Sequence, residues 1–165
     1  AASDVYKRQL TAGTMQIQGG GGIDTLQFSS SPYLGALDFT KMGNQFKSIE
    51  RIDMATSPLI NKLTITLQDV LDMASTNAFN STTIAGATAL GASVARQQLM
   101  ISAFNTTIST SVDTVTIEKS GWTAAGTFVY DAASGGDGHT YRIYNHNTAA
   151  AQLLIDAKAT LSAVL

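Results

Sequence analysis

The chain has 165 residues, 44% of them hydrophobic and only 13% charged, which is enough apolar material for one domain with a substantial core. A formal net charge of −2 and a pI near 5.5 leave no basic footprint for nucleic acid or an anionic membrane. Cysteine is absent, which excludes a disulfide framework, a thiolate metal site and a thiol nucleophile, and no apolar run approaches the roughly 20 residues a membrane helix needs.

Residues Ala1 to Gln9 carry no initiator methionine, no apolar signal core and no periodicity. The string Asp4-Val5-Tyr6-Lys7-Arg8-Gln9 resembles a translated sequencing adapter at the end of an assembled environmental read, so 1–9 is set aside as a non-native tail and the natural chain is expected to continue upstream. Met15-Gln16-Ile17-Gln18 is a weak strand. Gly19 to Gly22 then permit positive φ at several positions, so backbone carbonyls can face a hard cation, and Asp24 adds a carboxylate. Thr25-Leu26-Gln27-Phe28 alternates at period two, placing Leu26 and Phe28 on one buried face of a strand. The stretch reads either as a calcium turn feeding a strand or as a flexible glycine linker with no metal.

Gly19 to Gln27 fits the nonapeptide G-G-x-G-x-D-x-U-x, in which U is a large apolar residue, and so resembles one repeat of the RTX (hemolysin-type calcium-binding repeat) family. That resemblance implies half a turn of a parallel β-roll, with calcium held between successive turns. The implied metal ligands here are the carbonyls near Gly20 and Gly22 and the carboxylate of Asp24. Only one good copy is present, so this turn supplies half a site.

Further along, Ser29-Ser30-Ser31-Pro32 and Ser57-Pro58 are turn clusters, and Ala36 to Thr40 alternates before Gly43-Asn44 breaks it. Phe46 to Met54 carries Ile52 and Met54 on one face, and Lys62 to Leu67 is the cleanest strand, with Leu63, Ile65 and Leu67 on one side. These strands recur every 10 to 15 residues or so, the spacing of solenoid rungs or of a compact all-β domain. One helix is expected from Leu67 to Ala74, with Thr66 as N-cap, Asp69 three residues on, and Leu67, Val70, Leu71 and Ala74 as its apolar stripe. Asp69 and Asp72 lie i to i+3, an arrangement better explained by the helix dipole than by acid–base work. Asn77 to Gln98 has no clear pattern and reads as an insertion, with Ala85 to Arg96 either a weak helix or a long surface loop.

Strand patterns resume at Leu99-Met100-Ile101 and Val112 to Ile117. Gly126 to Tyr130 and Thr140 to Tyr144 flank Ser134-Gly135-Gly136-Asp137-Gly138, a hairpin signal, and Ala151 to Asp156 is the last strand, with Leu153 and Ile155 opposite Leu154. Asp131 and Asp137 around that loop either shape the hairpin or form a second calcium turn.

The succession Ile49 to Asp53, Asn61 to Met73, Asp113 to Ile117, Gly121-Trp122, Gly126-Thr127, His139 to Tyr144 and Ala151 to Ile155 resembles a module near the C-terminal ends of large RTX adhesins exported by type I secretion. Its long Asn77 to Gln98 segment departs from that pattern.

For enzymatic chemistry the sequence offers little. His139 and His146 sit at turns without H-E-x-x-H or C-x-x-C spacing and are expected to be exposed, and no G-x-S-x-G elbow supplies a nucleophile. Trp122, Tyr130, Tyr141 and Tyr144 suit core packing better than a sugar-stacking platform. The threonines at 64, 66, 114 and 116 make no sustained ice-binding ladder.

The expected fold is all-β: β-roll or solenoid-like rungs leading into a β-rich, sandwich-like and mostly antiparallel domain with one short helix. The expected division is 10–28 for the RTX-like repeat and 29–165 for the adhesin module. The expected function is that of a non-enzymatic structural module of an extracellular, calcium-dependent RTX adhesin. Its partners would be neighbouring repeats of the parent chain and a cell-surface glycan. The alternatives are a carbohydrate-binding β module and the non-catalytic tail of an RTX protease or lipase.

Overall fold

The computed structural model describes residues 5–7, 16–28, 36–55, 60–80, 84–91, 93–103, 112–118 and 120–164. Strands dominate, as expected for an all-β chain, and they are laid down in successive passes. The first holds β2 (Ile17–Gln18), β3 (Thr25–Gln27) and β4 (Ala36–Asp38), with β1 (Val5–Lys7) alongside β3. The second holds β5 (Phe46–Lys47), β6 (Arg51–Asp53) and β7 (Lys62–Thr64). Helix α1 (Leu67–Met73), β8 (Ser75–Thr76), β9 (Gln97–Ser102) and β10 (Thr114–Glu118) form the third. After the hairpin of β11 (Trp122–Val129) and β12 (Thr140–His146), β13 (Ala151–Asp156) and β14 (Thr160–Val164) form the fourth. The turn clusters expected at Ser29 to Pro32 and at Ser57-Pro58 lie outside the described residues.

Corresponding strands of successive passes pair in parallel. One sheet runs β1-β3-β6-β9-β13-β12-β11, with β8 also on β9; a second runs β14-β10-β7-β4; a third holds β2 and β5. Thr25 lies beside Arg51, and Gln27, bonded to Asp53, is 26 residues from its partner. Ala36 to Asp38 meet Lys62 to Thr64 at the same spacing, so the chain advances equally from the first pass to the second on two sheets at once. Later passes are longer: Asn61 and Asp113 are 52 residues apart, and Gln98 and Gln152 are 54.

Stacking in register turns each inward position into a column. Leu26, Ile52, Ile101 and Ile155 lie side by side across four strands, and all are buried. On the second sheet the corresponding column is Leu37, Leu63, Val115 and Leu161. Together with Phe39, Phe46, Ile49 and Ile65, these residues make one core cluster extending from Ile17 to Ala159. Alternation at period two is what keeps each strand's apolar face on this core.

The C-terminal part differs from the expected, mostly antiparallel arrangement. Among the described residues pairing is antiparallel only from β11 to β12, from β12 to β13 and from β8 to β9, whereas β9 to β13 and β10 to β14 are parallel. The reason is that Leu153 and Ile155 continue the inward column of Leu99 and Ile101, so β13 takes its place as another parallel strand. Only its far edge is left for the hairpin.

Helix α1 begins at the expected place. Thr66 accepts the Asp69 N–H, Asp69 accepts the Thr66 N–H at 2.8 Å, and Glu118 from β10 accepts the Leu67 N–H at 2.9 Å. Asp72 accepts from Gln68 instead of facing Asp69. The helix packs beside β5 and against β9 and β13, burying Val70 and Met73.

Among the described residues of Ala85 to Arg96 there is no regular helix; most are exposed, as in a surface loop, with a few buried anchors. One 3₁₀ turn, Ala87–Leu90, sits between left-handed Gly86 and Gly91. Phe79, Ile84, Ala87 and Leu90 pack on the outer face of the large sheet, against Met100, Tyr141, Ile143 and Leu154. Strand β13 is therefore buried on both faces.

Candidate cation turn and a buried polar network

The glycine turn joins β2 to β3. Gly20 and Gly22 adopt φ of 99° and 122°, a region that favours glycine. Gly19 is required for a different reason. A Cβ there would collide with the Ser48 carbonyl oxygen and would lie 2.6 Å from Asp24 Cβ, so the turn is in direct contact with the chain of the next pass. Asp24 is fully buried.

In the next pass Glu50 stands where Asp24 stands in the first. Its carboxylate accepts the Asp24 N–H at 2.8 Å and the Ser75 hydroxyl at 2.6 Å. The Glu50 and Arg51 N–H groups both donate to the Asp24 carbonyl. Glu50 is fully buried, and that burial, reinforced by the Asp24 charge, raises its pKa against the opposing hydrogen bonds from Asp24 and Ser75. Two buried carboxyl groups thus lie in adjacent passes. The turn contains the expected residues Gly20, Gly22 and Asp24 in one loop, and the acid brought beside them, Glu50, has no motif of its own in the sequence. Among the described residues no group of three His, Cys, Asp or Glu side chains has metal-holding geometry.

A second constellation joins Arg51 at the start of β6, Ser102 and Asp156 at the ends of β9 and β13, and Asp137, His139 and Tyr141 around the start of β12. Arg51 Nη2 donates to Asp137 Oδ2 at 2.5 Å and Arg51 Nε donates to Ser102 Oγ at 3.0 Å. Ser102 Oγ lies 2.8 Å from the Tyr141 hydroxyl, which in turn donates to Asp137 Oδ2 at 2.5 Å, closing a ring of four side chains. Burial, and then donation to Asp137, raises the Tyr141 pKa well above the usual phenol range. His139 Nδ1 sits 2.6 Å from Asp156 Oδ2, and Asp156 also accepts the Ala103 and Lys158 N–H groups.

Neither histidine is the exposed turn residue expected from sequence. His139 is half-buried against Asp156, and His146 Nδ1 accepts the Ala149 N–H at 3.0 Å while its ring meets Trp122 edge-on at 5.0 Å. The structure does bring a histidine, an acid and a serine into one network. Ser102, however, is fully buried and bonded to Arg51 and Tyr141, which is not the setting of a nucleophile. Asp137 shapes its hairpin loop through the His139 N–H, and Asp131 caps the 3₁₀ turn at Ala133, so these two acids do not converge.

The four aromatic residues also divide. Tyr130 and Tyr141 belong to the outer cluster, with Tyr141 wholly buried, whereas Trp122 and Tyr144 pack on the inner one. They do not share an exposed face. Among the described residues no helix is long and apolar enough to cross a membrane. No family model matches this chain, and neither curated proteins nor solved structures match it, so the geometry above carries the functional reading.

Proposed function

We propose that this chain is a non-enzymatic structural module, a length of parallel β-roll from a secreted, calcium-dependent adhesin of the RTX type. The observation that supports it most directly is the parallel, in-register stacking of successive passes on two sheets, since a roll is built by stacking such passes on one another. The positive φ at Gly20 and Gly22 beside the buried Asp24 supports the calcium reading of the turn. Two buried carboxyl groups, Asp24 and Glu50, also suit a hard cation in charge. Gly20 and Gly22 carbonyls and the Asp24 carboxylate would hold the ion, which would neutralise buried negative charge and couple folding to calcium outside the cell.

The other side chains favour a scaffold over a catalyst, because Ser102 is fully buried and bonded to Arg51 and Tyr141 while the His139 ring pairs with Asp156. A glycan-binding platform has little support from rings as buried as Tyr130 and Tyr141.

The test is a thermal melt of the chain in chelator and in calcium, beside Asp24→Ala. A free calcium concentration 100 times Kd should add about 2.7 kcal/mol of stability. Absence of that gain in the native sequence, or its persistence in Asp24→Ala, would count against the calcium site.

A further inference from the structure

We infer that the outer edge of β11 is a self-association surface: two copies of this chain join there, each β11 pairing antiparallel with the β11 of the other about a two-fold axis. Calcium plays no part in this contact.

Strand β11 ends the large sheet, and among the described residues its backbone pairs with β12 alone. One row of its N–H and C=O groups is therefore left facing outward, the template to which another strand adds. Side chains on a strand point alternately to its two faces, so a run exposed at every position is covered on neither. Thr123 to Thr127 is such a run, and a Cβ built on Gly126 meets nothing within 4 Å. The usual guards of an edge are proline, charge and a covering segment. No proline or charged residue occurs from Ser120 to Tyr130, and the 3₁₀ turn at Ala87–Leu90 beside the strand lies in a second uncharged stretch, from Met73 to Ala95. At one end of the smaller sheet β4 is guarded differently: it has three residues, and its Asp38 pairs with Lys41 at 3.2 Å.

Neutrality selects a second copy as the occupant. Each chain carries a formal net charge of −2, so two copies approach most easily over a surface with no charge of its own, and β11 offers nothing to attract a charged partner strand. The ladder from β13 through β12 to β11 is antiparallel, and an antiparallel copy continues it in the same sense. With the axis at Ala125, Thr123 of each chain faces Thr127 of the other, a favourable cross-strand pair, and Ala124 faces Gly126. The register of β11 on β12 breaks between Ala124 and Thr127, where Gly126 takes φ of 110°, and a bulge of this kind twists the edge and keeps the contact short. The association is accordingly a weak one.

Sedimentation of the full chain in chelator from ~10 µM to ~1 mM, a range that brackets a weak contact, should show a reversible equilibrium between monomer and dimer. Over the same range the outward amides between Thr123 and Thr127 should become protected from hydrogen exchange. A chain that stays monomeric throughout, or a dimer that leaves these amides unprotected, would overturn the inference. Ala125 is exposed, so Ala125→Lys and Ala125→Glu should melt with the native chain. Each alone should dimerise about fivefold more weakly, because like charges then stand opposite one another across the axis. An equimolar mixture of the two variants should recover at least the native affinity. A mixture no tighter than either variant alone would mean that the two edges do not face each other, and would equally overturn the inference. Because calcium is absent throughout, failure here leaves the calcium reading where it stands, and a missing calcium response in the thermal melt leaves this surface where it stands.

Discussion

Gly19 and Tyr141 show how single residues are fixed by neighbours far along the chain. Gly19 faces Ser48, so Gly19→Ala should cost about 1–3 kcal/mol, the usual penalty of overpacking a filled site. Urea denaturation reads this directly; a neutral result would mean the two turns are not in contact. Tyr141 offers a pH signature. Its folded-state pKa is raised above the unfolded value of about 10, so the protonated phenol contributes stability that is present below about pH 10 and is lost as pH rises beyond it. In an ultraviolet difference titration, one of the five tyrosines should stay un-ionised until the chain unfolds. Tyr141→Phe removes the hydroxyl on which Ser102 and Asp137 depend and should cost about 1–3 kcal/mol while flattening the alkaline loss. The motif made Gly20, Gly22 and Asp24 visible in sequence; nothing local marked Glu50, Arg51 or Ser102, because their roles depend on which passes lie beside them.

At the level of elements, helix α1 is the segment whose local signals agree best with its structure. Thr66 and Asp69 satisfy each other's backbone, which is a property of four consecutive residues and so is readable without a fold. Thr66→Ala should remove about 1 kcal/mol. Glu118→Ala should add to that loss, because Glu118 accepts the Leu67 N–H from a strand 51 residues away. A double-mutant cycle on chemical denaturation would show whether the two caps act independently. The segment 77–96 behaves in the opposite way. Its alanine, serine and threonine content hides the few residues that anchor it, and the polar anchor is an amide ladder. Gln98 accepts the Phe79 N–H and donates to Asn80 and Gln152, and Gln152 donates to the Leu90 carbonyl and to Asn145. Phe79→Ala, which also removes an edge-on contact with Tyr130, should cost about 3–5 kcal/mol. Limited proteolysis should then cut within 77–96 before the rest of the chain unfolds.

On the scale of the whole molecule, the columns join all four passes into one core cluster, with Ile17 and Ala159 at its extremes. Unfolding is therefore expected to be cooperative: Trp122 fluorescence and far-UV circular dichroism should give coincident denaturant transitions. Separate transitions would mean that the first passes and the C-terminal strands are distinct folding units. The hairpin of β11 and β12 covers the free edge of β13, so the large sheet does not end on β13, a strand whose side chains are buried throughout.

The sequence by itself determined the strand-rich class, the inward faces of β3, β7 and β13, the start of α1, the β11–β12 hairpin and the glycine turn. Each follows from period-two alternation, a cap or a turn residue, all of which act within a few positions. Only the tertiary structure decided that the pairing stays parallel into β13 and β14, that Phe79, Ile84, Ala87 and Leu90 cover the outer face of the large sheet, and that Glu50 lies against Asp24 while His139 lies against Asp156. The physical reason is that a parallel neighbour is chosen by the register of whole passes, 26 residues apart at the least on the large sheet from β3 to β13 and on the smaller sheet. Alternation fixes which face a side chain takes, but not which strand it will lie beside.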